Sequence, residues 1–215
     1  MGSKRASRSR NWAARQNRDP YVKKARESDY RSRAAFKLQQ LDEKERLLRA
    51  GMSVVDLGAA PGSWSQYVAA KVGPTGVVVA VDRLDMGKIS GVTGIKGDFL
   101  EDAVVKELTE VLGERPADLV ISDLAPNLTG ISSVDQAAME DLVLVAVRFA
   151  LEHLGPKGVF IGKFFEGERA DALRHKVEKA FSVVRVRKPD ASRAKSAEAY
   201  LVARQPIGGE EVCVS

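Results

Sequence analysis

With 215 residues, 44% of them hydrophobic, the chain is long enough for one α/β domain with a full core and too short for two. Its longest apolar runs, 76–81 and 142–147, fall far short of a membrane span, and no amino-terminal segment joins a positive end to an apolar core. The single cysteine, Cys213, excludes a disulfide framework and a thiolate metal site, so a cytoplasmic protein that works without a metal is the expectation.

Charge is concentrated at one end. Residues 1–33 hold eleven Lys/Arg against three Asp/Glu, a net of +8 in a chain whose total is +5. Residues 1–27 are poor in apolar side chains and read as a basic arm without stable structure of its own, suited to phosphate contacts. A solubilising tail is the plainer alternative, although Trp12 and Tyr21 offer rings that can stack or dock. A folded domain is expected over 28–205, with a flexible tail over 206–215.

Ser32 suits the N-cap of a helix whose apolar face is Ala35, Phe36, Leu38, Leu41, Leu47 and Leu48. Arg31, Arg33 and Lys37 place cations at its start, against the helix dipole, which implies an anion or an acidic site nearby. Residues 53–57 are a short apolar strand, followed by small residues and by a helix opening at Ser63. Asp56 falls near the strand's carboxyl end, and Gly58 and Gly62 allow a ligand close to the backbone. The spacing is Asp-x-Gly-x-x-x-Gly rather than the G-x-G-x-x-G of dinucleotide sites, and Pro61 removes one N–H. That form suits S-adenosylmethionine, which has a cationic sulfur and no phosphate. A glycine turn that merely joins strand to helix is the alternative.

Residues 76–82 form a second apolar strand ending in Asp82, placed to accept ribose hydroxyls of an adenosine. Residues 94–99 form a third, with Asp98 able to accept from an adenine amino group. A helix follows over 101–112, then a strand over 117–123 ending in Asp123. Ser133 and Gln136 have capping-box spacing for a long helix reaching His153. The strand at 158–164 carries Lys163 among apolar neighbours, an amphipathic helix spans 168–180, and final strands are expected at 182–187 and 199–203. Alternating strands and helices imply a doubly wound sheet.

Four acids, Asp56, Asp82, Asp98 and Asp123, thus end successive strands, more than helix capping alone requires. Lys163 is either a strand-end lysine with its head in water or the partner of Asp123 on the adjacent strand.

The stretches beginning Arg31-Ser-Arg-Ala-Ala-Phe-Lys-Leu, Asp56-Leu-Gly-Ala-Ala-Pro-Gly-Ser-Trp, Asp123-Leu-Ala-Pro-Asn and Arg187-Lys-Pro-Asp, together with Lys163, resemble the FtsJ-type ribosomal-RNA 2′-O-ribose methyltransferases. The resemblance runs from about residue 20 to residue 203. It implies a single-domain, Rossmann-like α/β methyltransferase fold, a seven-stranded mixed sheet with one antiparallel strand and helices on both faces. It implies a catalytic set on Lys37, Asp123, Lys163 and Glu198. Contacts to S-adenosylmethionine would fall on Gly62, Trp64, Asp82, Asp98 and Asp123, beside Asp56 and Gly58 of the loop. Where many members have Gly-Gly-Trp, this chain has Gly62-Ser63-Trp64; Ser63 can cap the helix, so binding should survive.

RNA would be gripped by Arg31, Arg33, Lys188, Arg193 and Lys195, with Tyr200 lining the acceptor pocket. The implied acceptor is a uridine in large-subunit ribosomal RNA, met on the assembled subunit by a monomer. A transfer-RNA methyltransferase and a catalytically silent, RNA-binding assembly factor are the alternatives.

Overall fold

The computed structural model describes residues 19–113, 115–193 and 196–207. Within them seven strands form one sheet: β1 (Ser53–Leu57), β2 (Val77–Asp82), β3 (Thr93–Lys96), β4 (Ala117–Ser122), β5 (Leu154–Phe165), β6 (Phe181–Arg187) and β7 (Glu198–Pro206). Their order is β3-β2-β1-β4-β5-β7-β6, and β7 alone runs antiparallel to its neighbours. The helices are α1 (Pro20–Glu27), α2 (Ala35–Glu45), α3 (Ser63–Val72), α4 (Asp102–Leu112), α5 (Ser132–His153) and α6 (Ala170–Glu178).

Strand periodicity divides the interior into two cores. Val55, Leu57, Phe160, Phe164 and Leu201 pack with α4, α5 and α6 on one face. Val54, Val159, Ile161, Tyr200 and Val202 pack with α2 and α3 on the other. All five residues of β1 are buried, as a parallel strand covered on both sides requires. Each large apolar side chain removed from water in this way contributes about 1.5–3 kcal/mol. Lys163 continues the 159–161–163 series and so lies on the α2 face. Because β1 has β2 on one side and β4 on the other, a crevice opens at the carboxyl ends of β1 and β4.

Ordered structure begins before Ser28, the expected boundary. In α1, Asp19 is the N-cap, its carboxylate accepting from Tyr21 N at 3.0 Å, and Pro20 occupies the first turn. Ala25 is buried against Phe36 and Ala191, so an otherwise polar helix has something to dock on. Three capping expectations are corrected. Helix α2 starts at Ala35 without a side-chain cap, while Ser32 Oγ accepts from Ala34 N and meets Ser63 Oγ at 2.7 Å. At α5, Gln136 Nε2 donates to Ser132 Oγ, and Asp135 rather than Ser133 collects the nearby donors, Thr129 N, Thr129 Oγ1 and Gly130 N. Helix α3 is preceded by Gly62 at φ 97°, so Ser63 does not cap it either. No helix among the described residues is long and apolar enough to cross a membrane. Residues 1–18, Lys195 and the tail from 208 lie outside the described residues.

Candidate active site

The loop after β1 and the loop after β4 meet over the crevice. A Cβ added at Gly58 (φ 74°) would collide with the Leu124 side chain, and one added at Gly62 with Ile89, so both positions need glycine for space as well as for conformation. Beneath the loop, Asp56 is 1% exposed. Its Oδ2 accepts from Ser65 Oγ at 2.6 Å, whereas Oδ1 has no partner. Burial pushes this carboxyl up to about 7 against the Ser65 hydrogen bond, helped by the charges of Asp123 and Asp82. An unpartnered acidic oxygen under a glycine loop fits a ligand that carries a cation. S-adenosylmethionine is such a ligand.

Asp82 accepts from Ala60 N at 2.9 Å and from Leu84 N at 2.8 Å, stiffening the loop while leaving each oxygen a second lone pair. Asp98 is paired with Arg83, whose cation outweighs the effect of burial and holds the carboxyl below its usual range. A cavity of about 590 Å³ lies beside β3, lined by Leu84, Met86, Ile89, Val92, Ile95 and Lys96 among others. Neither Asp82 nor Asp98 lines it. The Trp64 indole turns away from the loop, donating to Ala34 O at 2.7 Å and packing 5.7 Å from the Tyr200 ring. Any contact of Trp64 with a ligand at the loop therefore falls to its backbone.

On the other side of Asp123 the structure gathers all four charged residues of the expected catalytic set, and adds a fifth. Lys163, 7% exposed, donates to Asp123 O at 2.6 Å and lies 3.1 Å from Asp123 Oδ1. Lys37, from α2, lies 2.7 Å from Glu198 Oε1. Between the two pairs stands Tyr200. Its hydroxyl is 2.8 Å from Asp123 Oδ1 and 3.3 Å from Glu198 Oε1, so its one proton serves two carboxylates. The antiparallel register creates this arrangement by setting Lys163 opposite Tyr200 and Phe165 opposite Glu198. Burial alone would raise Glu198, but Lys37 and Ser192 outweigh it and hold the carboxylate below its usual value. Burial and the same two acids push the Tyr200 phenol far up, so it remains a donor. Tyr200 is fully buried, which corrects its reading as an RNA contact. The sequence signal for its real position was the two-residue spacing from Glu198.

Arg31 and Arg33 also differ from free RNA contacts. Arg31 donates to the carbonyls of Pro61, Met86 and Lys88, clamping the segment before α2 to the glycine loop. Arg33 pairs with Asp19 and donates to Ala191 O. The anions implied by cations at the α2 start are therefore Asp19 and Glu198, from the chain itself. Lys188 donates to Ser196 O at 2.9 Å. A cavity of about 240 Å³ beside the polar cluster is lined by Arg33, Lys37, Arg193, Ser196 and Glu198. Burial first, and then the neighbouring Arg193 cation, lowers the Arg33 guanidinium against the opposing pull of Glu198.

A seven-stranded sheet with an antiparallel seventh strand, and a glycine loop facing acids at the β1–β4 crevice, define a Rossmann-like domain of the methyltransferase type. A profile of FtsJ-like methyltransferases matches residues 30–206, and the chain belongs to that family. It is 48% identical over 200 residues to "Ribosomal RNA large subunit methyltransferase E" of Hahella chejuensis, covering 93% of this chain and 97% of the relative. The protein of the same name from Alkalilimnicola ehrlichii is 49% identical over 201 residues, covering 94% and 96%. Among solved structures, a ribosomal RNA methyltransferase of Plasmodium falciparum superposes with a TM-score of 0.75 at 29% identity, covering 84% of this chain and all of that one. Aeropyrum pernix fibrillarin, at 17% identity, TM-score 0.54 and coverage of 79% and 73%, shares the fold alone.

Proposed function

We propose that the chain moves the methyl group of S-adenosylmethionine onto the ribose 2′-hydroxyl of a uridine in large-subunit ribosomal RNA, on the assembled subunit. The observation that carries the reading is the continuous Lys37–Glu198–Tyr200–Asp123–Lys163 cluster, two cations and two acids tied through one phenol. The relatives' printed names support the large-subunit RNA as acceptor.

S-adenosylmethionine supplies an electrophilic methyl carbon on a cationic sulfur. The glycine loop, with Asp56 beneath it and Asp82 and Asp98 at its side, would hold the cofactor. A 2′-hydroxyl is a weak nucleophile and must lose its proton as the oxygen–methyl bond forms and the sulfur–methyl bond breaks. Lys163 is the residue that takes this proton. Asp123 sets the direction of the Lys163 amine, and Tyr200 fixes Asp123. Lys37, held by Glu198, places positive charge next to the oxygen as it becomes negative.

The test offers methyl-labelled S-adenosylmethionine with undermethylated large subunits, with their stripped RNA, and with bulk transfer RNA. Alkali-resistant label confined to the large subunit is the expected result. Label in transfer RNA would move the substrate, and no transfer with cofactor still bound would favour the silent assembly factor. Lys163→Ala should lose at least about a hundredfold in kcat with cofactor binding retained.

A further inference from the structure

A second cavity adjoins the one beside Lys37. Of about 340 Å³, it lies between the end of β5 and the start of α5, and its lining includes Leu128, Asp135, Gln136, Phe165, Glu166 and Ser196. Ser196 also lines the smaller cavity with Arg33, Lys37, Arg193 and Glu198, so the two spaces share a wall. That wall is fixed, since Ser196 O accepts from Lys188 and the adjoining Ala197 O accepts from Glu166 N at 2.7 Å.

The two cavities differ in chemistry. The first is lined by three cations against the one carboxylate of Glu198, which pairs with Lys37, while Asp19 pairs with Arg33; the net charge stays positive through Arg193 and suits a phosphate. The second presents an apolar side chain, an aromatic ring and an amide, with two carboxylates, and would repel a phosphate. Leu128 stands 65% exposed over it, and Asp135 holds the Leu128 loop by accepting from Thr129 and Gly130. The Gln136 amide lies against Gly167, where a Cβ would collide with it, and keeps hydrogen-bonding capacity beyond Ser132 and Arg169. A ligand that fills both spaces is anionic at one end and flat, apolar-faced and polar-edged at the other. That is a nucleotide.

We infer that the Leu128–Gln136–Phe165 cavity holds the base of the acceptor nucleotide, turned out of its stack so that its ribose lies at Lys163 and Lys37. The inference rests on the proposed RNA acceptor and adds to it a base-holding subsite. Base–aromatic stacking and edge recognition of an unstacked base are the usual means of reading single-stranded RNA.

The test uses the full chain, S-adenosylmethionine and a fragment of large-subunit RNA spanning the mapped methylated nucleotide, with the base of that nucleotide present or removed. Leu128→Ala and Gln136→Ala should lower kcat/KM on the intact fragment about tenfold, with cofactor affinity unchanged. On the abasic fragment the wild type should itself be slower, and the variants no slower than wild type, because the base they would miss is gone. Leu128 is a surface residue, so an unchanged melting temperature is expected and separates impaired recognition from impaired folding. Wild-type rates from Leu128→Ala and Gln136→Ala on the intact fragment would overturn the subsite and leave the methyltransferase reading standing. Absence of wild-type transfer to any RNA would overturn both.

Discussion

Among the described carboxyl groups, Asp56 departs furthest from its ordinary range. Its carboxyl titrates at about 7 in the folded chain and near 4 when unfolded. Between those values the folded protein holds a proton that the unfolded chain has released, so rising pH removes stability across that window. At pH 7 the cost is on the order of 4 kcal/mol. Asp56→Asn should therefore melt higher than wild type at pH 7 and lose the decline between pH 5 and 7, which thermal denaturation at a series of pH values will show. A cation bound beside Asp56 favours its ionised form. Calorimetry should accordingly find S-adenosylmethionine binding tighter as pH climbs through about 7 in the wild type and flat in Asp56→Asn. Tyr200 carries a second residue-scale expectation. Tyr200→Phe leaves Asp123 and Glu198 without their shared donor, so kcat should fall roughly tenfold while stability drops by about 1–3 kcal/mol. Single-turnover rates beside denaturant melts separate the two effects.

At the scale of elements, helix α2 is anchored from its far end. The Glu45 side chain, 2% exposed, meets Arg185 at 3.2 Å, Arg187 at 2.5 Å and Arg204 at 3.5 Å, joining α2 to β6 and β7. Burial pushes the Glu45 carboxyl up, but Arg187 and Arg185 outweigh it and hold it below its usual value. The stability this group confers is thus complete above the unfolded value near 4.5 and lost as pH falls through the lower folded one. Glu45→Ala leaves three partly exposed cations without their shared acid and should cost about 1–3 kcal/mol in urea denaturation at pH 7. None of this could be read along the chain, since Glu45 and Arg204 are 159 positions apart. Local signals fared better. The apolar run 53–57 coincides with β1, and Lys163 found Asp123 because both end adjacent strands. Helix α1 was legible in Asp19-Pro20, a cap followed by a first-turn proline, but its charge density suggested a free arm. Its order comes from Ala25 and Tyr21 docking on Phe36, a tertiary arrangement that composition does not report.

For the molecule as a whole, positive charge is the quantity to titrate. Residues 1–18 carry six Lys/Arg and no acid. A chain starting at Asp19 should bind cofactor normally yet show a shallower dependence of RNA affinity on salt, by up to about 0.7 in log–log slope for each phosphate no longer neutralised. Filter binding over a series of salt concentrations measures it. The pairing of β7 with β5 has a consequence of another kind. Side chains alternate across that strand, so a slip of one residue would send Tyr200 and Glu198 to the α5 side and bring Ala199 and Leu201 round to face Lys37. Core and chemistry would fail in the same event. Turnover per milligram after refolding is therefore a direct count of chains that found their native register, with no separate probe of conformation needed.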